Sequence, residues 1–445
     1  MNERDRQDQE SISQINSEGG AVTQGDVNVG GNYTGRDSHQ TTIINNYYGT
    51  ENPDEKPADP WEQFNNLPLD QIPERGDLAS VSFFRLRKNQ TFVGRREELQ
   101  TIAQFIKEGD KTVAIAATGL GGIGKSQLAA EFCHRYGRYF AGGVFWLSFD
   151  NETSARTSLL ESASHLNPAW GQLDAPDQIK RVQGPDGWQA NIPRLLVFDN
   201  LEDPQLLEQY QPTVGGCRVL LTSRYGDWER SGLNVEPLPL ETLLRPESIA
   251  LVQKLASRLT DEEAGEIAQE LADFPLALHL AGCFLSHYSM ETPKIYLEKL
   301  RESDLINELD HQADRIEKNR LNPTNHTWHV SRTFLRSYLK LLPEDNDSVY
   351  ESNIKSISQK ILYVLSLLTP NHPIPIDLLL NANNLKLIEE HFLDEYSIQD
   401  ALSLLSKIGL VQTSNFENKQ KLITIHTLLS QFARNKLENF QLISN

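Results

Sequence analysis

The chain has 445 residues, 38% hydrophobic and 23% charged, with 61 acidic against 42 basic side chains and a formal net charge of −19. That length accommodates two to four domains with cores of their own, and that charge repels nucleic acid and anionic membrane over most of the surface. Three cysteines, Cys133, Cys217 and Cys283, form no CxxC pair, which excludes a disulfide framework or a zinc signature and points to a reducing compartment.

Residues 1–20 are polar and acidic and read as disordered. The opening MNERDRQDQE lacks the apolar stretch of a signal peptide, so a cytoplasmic location is expected. No apolar run approaches the roughly 18 residues that a bilayer span requires, so no stable membrane insertion is expected. Residues 21–49, AVTQGDVNVGGNYTGRDSHQTTIINNYYG, differ in character. They are rich in Gly, Asn, Gln, Thr and aromatics, with no proline and almost no net charge. Such a composition suits a segment that stacks identical strands; the plainer reading is a Gly/Asn-rich tail. Residues 50–75 carry five prolines among acidic and polar residues and read as a linker.

A globular pattern follows. Thr112–Ala116 (TVAIA) is a buried-strand candidate, followed by a glycine loop and a helical pattern to about Tyr136. Gly143–Phe149, Arg194–Phe198 and Arg218–Thr222 are three more apolar runs of strand length with helical patterns between them. Strands alternating with helices predict an α/β fold with a doubly wound parallel sheet. Beyond about Pro239 the strand signals stop, and residues 240–300 read as helices. A third segment, about 350–440, has helices closed by Gly409 and a hairpin turning around Asn415–Lys419. No repeat with a period of about 30–45 residues is present, which excludes the common solenoid and propeller arrays.

The strongest local signal is Gly119-Leu-Gly121-Gly122-Ile123-Gly124-Lys125-Ser126, with Gln127 next in the helix that follows. It matches G-x-x-x-x-G-K-[ST] between a strand and a helix. Glycines let backbone N–H groups curl around phosphates, and the helix start presents its positive end to the same anion. Lys125 is expected to reach the β- and γ-phosphates of ATP or ADP, and Ser126 to offer its hydroxyl to Mg²⁺. The run LLVFDN ends an apolar strand in Asp199, where a metal-directed carboxylate belongs. Asn200 stands where efficient ATPases keep a second acid, so hydrolysis is expected to be slow unless Glu202 or Asp203 substitutes. The run RVLLTSR ends in Arg224, a candidate sensor of the γ-phosphate.

In this order, and with three further motifs, the chain resembles the NB-ARC group of STAND signal-transduction ATPases. Val93-Gly94-Arg95 resembles the group's opening motif beside the adenosine, and Asp273-Phe-Pro275-Leu-Ala277 its Gly-Leu-Pro-Leu-Ala motif, whose proline packs on adenine. Ile425-His426-Thr427 resembles its Met-His-Asp motif, whose histidine holds the β-phosphate of ADP. Asp273 and Phe274 replace the usual Gly-Leu, and Thr427 replaces the acid. The resemblance implies a nucleotide-binding domain over 76–238, a helical domain over 239–345 and a winged-helix domain over 346–445. These would close around ADP and, with ATP, open and self-oligomerise.

Residues 21–49 are similar to the short amyloid-signalling motifs of NLR-like proteins, which implies an effector partner carrying a matching motif. The function expected is a signal transducer in defence or regulated cell death, with slow ATP hydrolysis timing the switch. Two other classes fit parts of the pattern. A STAND-type transcription regulator would use the winged helix, against the net charge and the lack of clustered arginines. A P-loop kinase or metabolic ATPase would need a substrate pocket that the sequence does not reveal.

Overall fold

Short apolar runs, each too short to be a stable helix of their own, pair side by side to build the core sheet. The computed structural model describes residues 59–434 apart from 110–111, 117–120, 302–324, 345, 369, 371–372, 381–394, 416–420, 427–428 and 431. Residues 21–49, expected to stack strands, and residues 1–20, expected to be disordered, lie outside the described residues, as do Gly119, the hairpin tip and Thr427. Pro57–Asn445 forms one compact unit.

In chain order this unit begins with α1 (Glu62–Asn65), α2 (Arg96–Glu108), β1 (Thr112–Ala116) and α3 (Lys125–Tyr136). Next come β2 (Val144–Ser148), α4 (Glu152–Leu166), α5 (Ala175–Gln183) and β3 (Arg194–Asp199). The sheet is completed by α6 (Pro204–Tyr210), β4 (Cys217–Ser223) and β5 (Val235–Pro239). Its strand order is β2-β3-β4-β1-β5, and every pairing is parallel. β3 is buried along its whole length, as a central parallel strand covered on both faces must be. Leu195 and Val197 join a core with Leu128 and Phe132 of α3, while Leu196 and Phe198 join a second core with Leu159 of α4 and Leu207 of α6. The doubly wound α/β class expected from the sequence is therefore the observed one. β5, VEPLP, carries no strand signal in the sequence; its prolines are tolerated because it lies at the sheet edge.

The described part of the segment read as a linker is packed, not free. Trp61 and Phe64 are buried in the main core, with their rings against Phe140. The Arg218 guanidinium lies 4.3 Å from the Trp61 ring centroid. Arg75 grips the buried Glu131 of α3 with two hydrogen bonds of 2.9 and 2.8 Å, and Arg135 adds a third of 2.6 Å. Farther on, Phe83 pairs with β2 through bonds to Val144 and from Trp146, closing that exposed sheet edge. Aromatic residues scattered among prolines thus anchor a strap that composition alone presents as a spacer.

After the sheet come α7 (Arg245–Leu255), α8 (Asp261–Glu270), α9 (Pro275–His287), α10 (Pro293–Arg301), α11 (Asn325–Leu339) and α12 (Val349–Leu367). The described chain continues with β6 (Ile374–Pro375), α13 (Ile376–Leu380), α14 (Glu395–Lys407), β7 (Gln412–Asn415) and β8 (Lys421–Thr424). The last three strands make an antiparallel sheet in the order β6-β8-β7. Gly409, at φ +79°, turns the chain out of α14, and a Cβ there would fall 3.0 Å from Cys283 Cβ. That close approach seats the small sheet's entry turn on α9. Among the described residues no helix is long and apolar enough to cross a membrane.

Replacing Phe64 by Ala should lower stability by about 3–5 kcal/mol, the usual cost of emptying a buried aromatic site. A shift of the urea midpoint measures it, and an unshifted midpoint would mean that the strap is dispensable.

Candidate functional site

β1 delivers the chain into the glycine loop, and α3 begins at Lys125 directly after it. Gly122 and Gly124 both have positive φ, +83° and +104°, which L side chains adopt at a cost. A Cβ on Gly124 would meet nothing within 4 Å, so space is open in front of the helix N-terminus. There the first N–H groups of α3 have no helical acceptor and favour an anion. At Gly122 a Cβ would fall 2.8 Å from Leu276 Cδ2 and 3.3 Å from Phe274 Cε1. The loop is thus packed against the start of α9, where Pro275 is the first helical residue.

Asp199 ends β3 as a buried carboxylate and is held on one oxygen by two hydroxyls. Ser126 Oγ donates to Asp199 Oδ1 at 2.7 Å, and Thr222 Oγ1 donates to the same atom at 2.5 Å. Thr222, fully buried near the end of β4, also accepts from the Asn200 N–H at 3.0 Å. It holds the carboxylate from the strand that lies between β3 and β1, a role the sequence reading did not assign. Its only advance signal is a polar residue ending a buried apolar strand. Ser126 and Asp199 are hard oxygen donors facing the loop and fit Mg²⁺ accompanying a nucleotide. Among the described residues no group of His, Cys, Asp and Glu forms a metal site on its own.

Lys125 is buried beside these groups. Burial pulls its ammonium down to about 8; the Glu202 and Asp199 carboxylates oppose that shift, and the Arg224 charge adds to it. Arg224 is half-exposed and donates to Glu202 Oε1 at 2.8 Å. His426 is brought down to about 4 by burial, with Lys125 and His279 of α9 contributing. It therefore meets the site as a neutral imidazole at pH 7. His279 was not anticipated from the sequence; burial lowers it too, and its Nε2 lies 3.6 Å from Cys283 Sγ.

Four sequence candidates, Val93, Gly94, Arg95 and Gln127, are engaged with protein partners. Arg95, buried and at φ 60°, donates to Glu98 Oε1 at 2.7 Å, the Glu241 carbonyl at 2.6 Å and the Ile123 carbonyl of the loop at 3.4 Å. Its own N–H reaches Glu247 Oε1 at 3.2 Å, and a Cβ on the preceding Gly94 would collide with that carboxylate at 2.0 Å. Val93 packs against the main core. Gln127 is exposed and accepts from Asn89 Nδ2 at 2.9 Å, away from the loop. Of the remaining described candidates, Ser126 and Asp199 are bonded to each other, Pro275 starts the helix packed on the loop, and Arg224 and His426 are electrostatically coupled to Lys125.

A parallel sheet ordered β2-β3-β4-β1-β5, with a G-x-x-x-x-G-K-[ST] loop after β1 and its serine bonded to the carboxylate ending β3, defines a P-loop NTPase fold. No family model matches the chain. Curated relatives do. A putative disease resistance protein of Arabidopsis thaliana is 25% identical over 277 residues, covering 58% of this chain and 29% of the relative. A nucleotide-binding leucine-rich repeat (NLR)-like protein of Hyaloscypha variabilis is 24% identical over 278 residues, covering 55% and 28%. The regulatory protein AfsR of Streptomyces coelicolor is 26% identical over 234 residues, covering 50% and 23%. The chain is a relative of the NB-ARC and STAND proteins, and it spans between 23% and 29% of the length of these three. Among solved structures, a STAND protein with a tetratricopeptide repeat sensor from Pyrococcus horikoshii overlaps at a TM-score of 0.44 and 16% identity, over 78% of this chain and 43% of that one.

Phosphates bound beside Lys125 would raise its pKa, so nucleotide binding should be fullest below pH 8. Affinity should fall above it by up to about tenfold per pH unit. Calorimetry at pH 8.5 in buffers of different ionisation enthalpy should register proton uptake; zero uptake would contradict the burial argument. Thr222→Val should weaken nucleotide affinity in the presence of Mg²⁺ by about tenfold, the order of one buried hydrogen bond, and leave metal-free binding unchanged. Paired titrations with and without Mg²⁺ separate the two.

Proposed function

We propose that the chain is a nucleotide-gated signalling switch, a P-loop NTPase that stays closed with ADP and opens and self-associates when ATP replaces it. The observations that carry this reading are the packing of the start of α9 on the glycine loop and the influence of the Lys125 charge on His426, which follows β8. A nucleotide there would touch the parallel sheet, the helical segment and the small antiparallel sheet's segment at once. It could then bind two arrangements of these parts with different affinity, which is what a switch requires. Moving a population from 1:99 to 99:1 takes about 5.5 kcal/mol of that difference.

The Arg224–Glu202 pair supplies one source. It is half-exposed, and such pairs are worth about 0–1 kcal/mol, so a γ-phosphate can displace Glu202 at little cost. ADP lacks that phosphate and leaves Arg224 with Glu202, while His426 can donate to the β-phosphate. In this reading Pro275 packs on adenine, and Ser126 and Asp199 hold Mg²⁺. The working parts are a nucleotide-binding domain over 76–238, a helical domain over 239–345 and a winged-helix domain over 346–445. Residues 21–49 recruit an effector with a matching motif, and slow ATP hydrolysis returns the switch to rest. The relatives' names, disease resistance and regulation, support a signalling role in defence. The net charge of −19 weighs against a DNA-bound regulator.

Multi-angle light scattering on the full chain should give a monomer with ADP and a larger assembly with ATP. Lys125→Ala should abolish the assembly. A mass that ignores the nucleotide, together with steady turnover, would reject the switch.

A further inference from the structure

The position after Asp199, where a second acid would polarise water, is Asn200. Two nearby acids could have replaced it from the following turn, and both are committed. Glu202 Oε1 accepts from the backbone and side chain of Arg224 at 3.3 and 2.8 Å. Asp203 Oδ1 accepts the Gln205 N–H at 2.9 Å and caps α6.

Asn200 itself points to a third acid. Its backbone is left-handed, φ 61°, a conformation that asparagine tolerates better than most residues. The strain is fixed on both sides: the Asn200 N–H is bound by Thr222 Oγ1 at 3.0 Å, and the preceding Asp199 carbonyl accepts the Phe149 N–H at 2.8 Å. With the backbone so turned, Asn200 Nδ2 reaches across to the neighbouring strand end and donates to Asp150 Oδ1 at 3.0 Å. Ser148 Oγ donates to Asp150 Oδ2 at 2.7 Å, so the carboxylate is oriented by one donor on each oxygen. β2 and β3 are adjacent and parallel, with Ser148 opposite Asp199. Asp150 therefore lies two residues past the position opposite Asp199, beyond the carboxyl end of the strand that neighbours β3. That end is where open α/β sheets bind ligands. Asp150 is exposed, and each of its oxygens keeps capacity to accept from water.

We infer that Asp150 is the general base of this chain's ATP hydrolysis, presented from β2 by the positioning residues Asn200 and Ser148. The inference rests on the reading of the chain as an ATP-binding switch. A water held by Asp150 attacks the γ-phosphorus and forms a new P–O bond. The bond from that phosphorus to the β–γ bridging oxygen breaks, and its electron pair leaves with ADP. The water's proton passes to the Asp150 carboxylate and from there to solvent, giving ADP and inorganic phosphate. A base open to bulk water and displaced by one strand contributes less than an enclosed one, which suits a timer more than a fast ATPase.

The test uses the full chain with Mg²⁺-ATP, measuring ATP binding by equilibrium dialysis and single-turnover release of labelled phosphate. Asp150→Asn should retain ATP binding and lose about 10²-fold in rate, the lower end for general base catalysis. Its pH–rate profile should lose the acid limb that wild type shows. Asn200→Ala should give a smaller loss and a displaced acid limb, which a merely structural defect would not produce. Asp203→Asn should hydrolyse at the wild-type rate, and thermal melts confirm that the variants fold. Asp150→Asn hydrolysing like wild type, or a wild type that binds ATP without hydrolysing it, overturns the inference and leaves the switch standing. A wild type that fails to bind ATP, like Lys125→Ala, overturns both.

Discussion

A buried carboxylate must be paired or neutralised, and Asp199 meets that demand by tying together the three strands and the helix that make the site. Its Oδ1 receives hydroxyls from Ser126, in the first turn of α3, and Thr222, near the end of β4. β4 lies between β1 and β3. Ser126, which follows β1, therefore bridges to Asp199 over the strand that carries Thr222. A donor on β4 at that level satisfies the carboxylate where an apolar residue would leave it short by one bond. The same threonine accepts the Asn200 N–H and so sets the left-handed turn after Asp199. The geometry of the loop, the metal-directed acid and the turn beyond it is one hydrogen-bonded unit.

Around that unit, a few polar joints accompany the apolar core that the helical segment shares with the sheet. Arg95 spans the Ile123 carbonyl of the loop and the Glu241 carbonyl ahead of α7. Glu247 accepts both the Arg95 and Leu244 N–H groups, which fixes how α7 starts. Arg245 of α7 and Asp273 ahead of α9 pair through two bonds of 2.7 and 2.8 Å, with Asp273 at φ 57°. The Asp-for-Gly departure in the Pro275 motif is thereby explained: a residue in left-handed conformation, where glycine is the easier choice, is retained because its carboxylate holds α7.

Most of this was legible where one physical rule dominates. Strand-length apolar runs ended in the residues that face the site, and the glycine loop and Asp199 lie where their spacing and polarity put them. The rest depended on partners distant in sequence. VEPLP is a strand only because β1 pairs with it at an edge that spares its prolines. Trp61 and Phe64 sit in a proline-rich stretch whose composition hides the aromatic cavity that receives them. Arg95 read as a ligand of adenosine because its neighbours match a motif, while its guanidinium is occupied by two carbonyls that no local pattern reveals. Asp150 had no signal at all, since only the register of β2 against β3 brings it beside Asn200.

The electrostatics of the site follow from the same burial that makes it a site. Lys125 is drawn down to about 8, and His426, at about 4, stands neutral beside it. Lys125 thus stays mostly charged at neutral pH while His426 adds no second charge beside it. Phosphates would favour the charged form of Lys125 further and give the neutral imidazole an acceptor. The number of phosphates then decides which groups are engaged. In the proposed switch, two would satisfy Lys125 and His426 within the closed arrangement. A third would be accommodated toward Arg224, whose half-exposed pairing with Glu202 yields at little cost. In that reading discrimination between ADP and ATP needs no separate recognition of the base; it can arise from a buried lysine and a surface arginine held loosely.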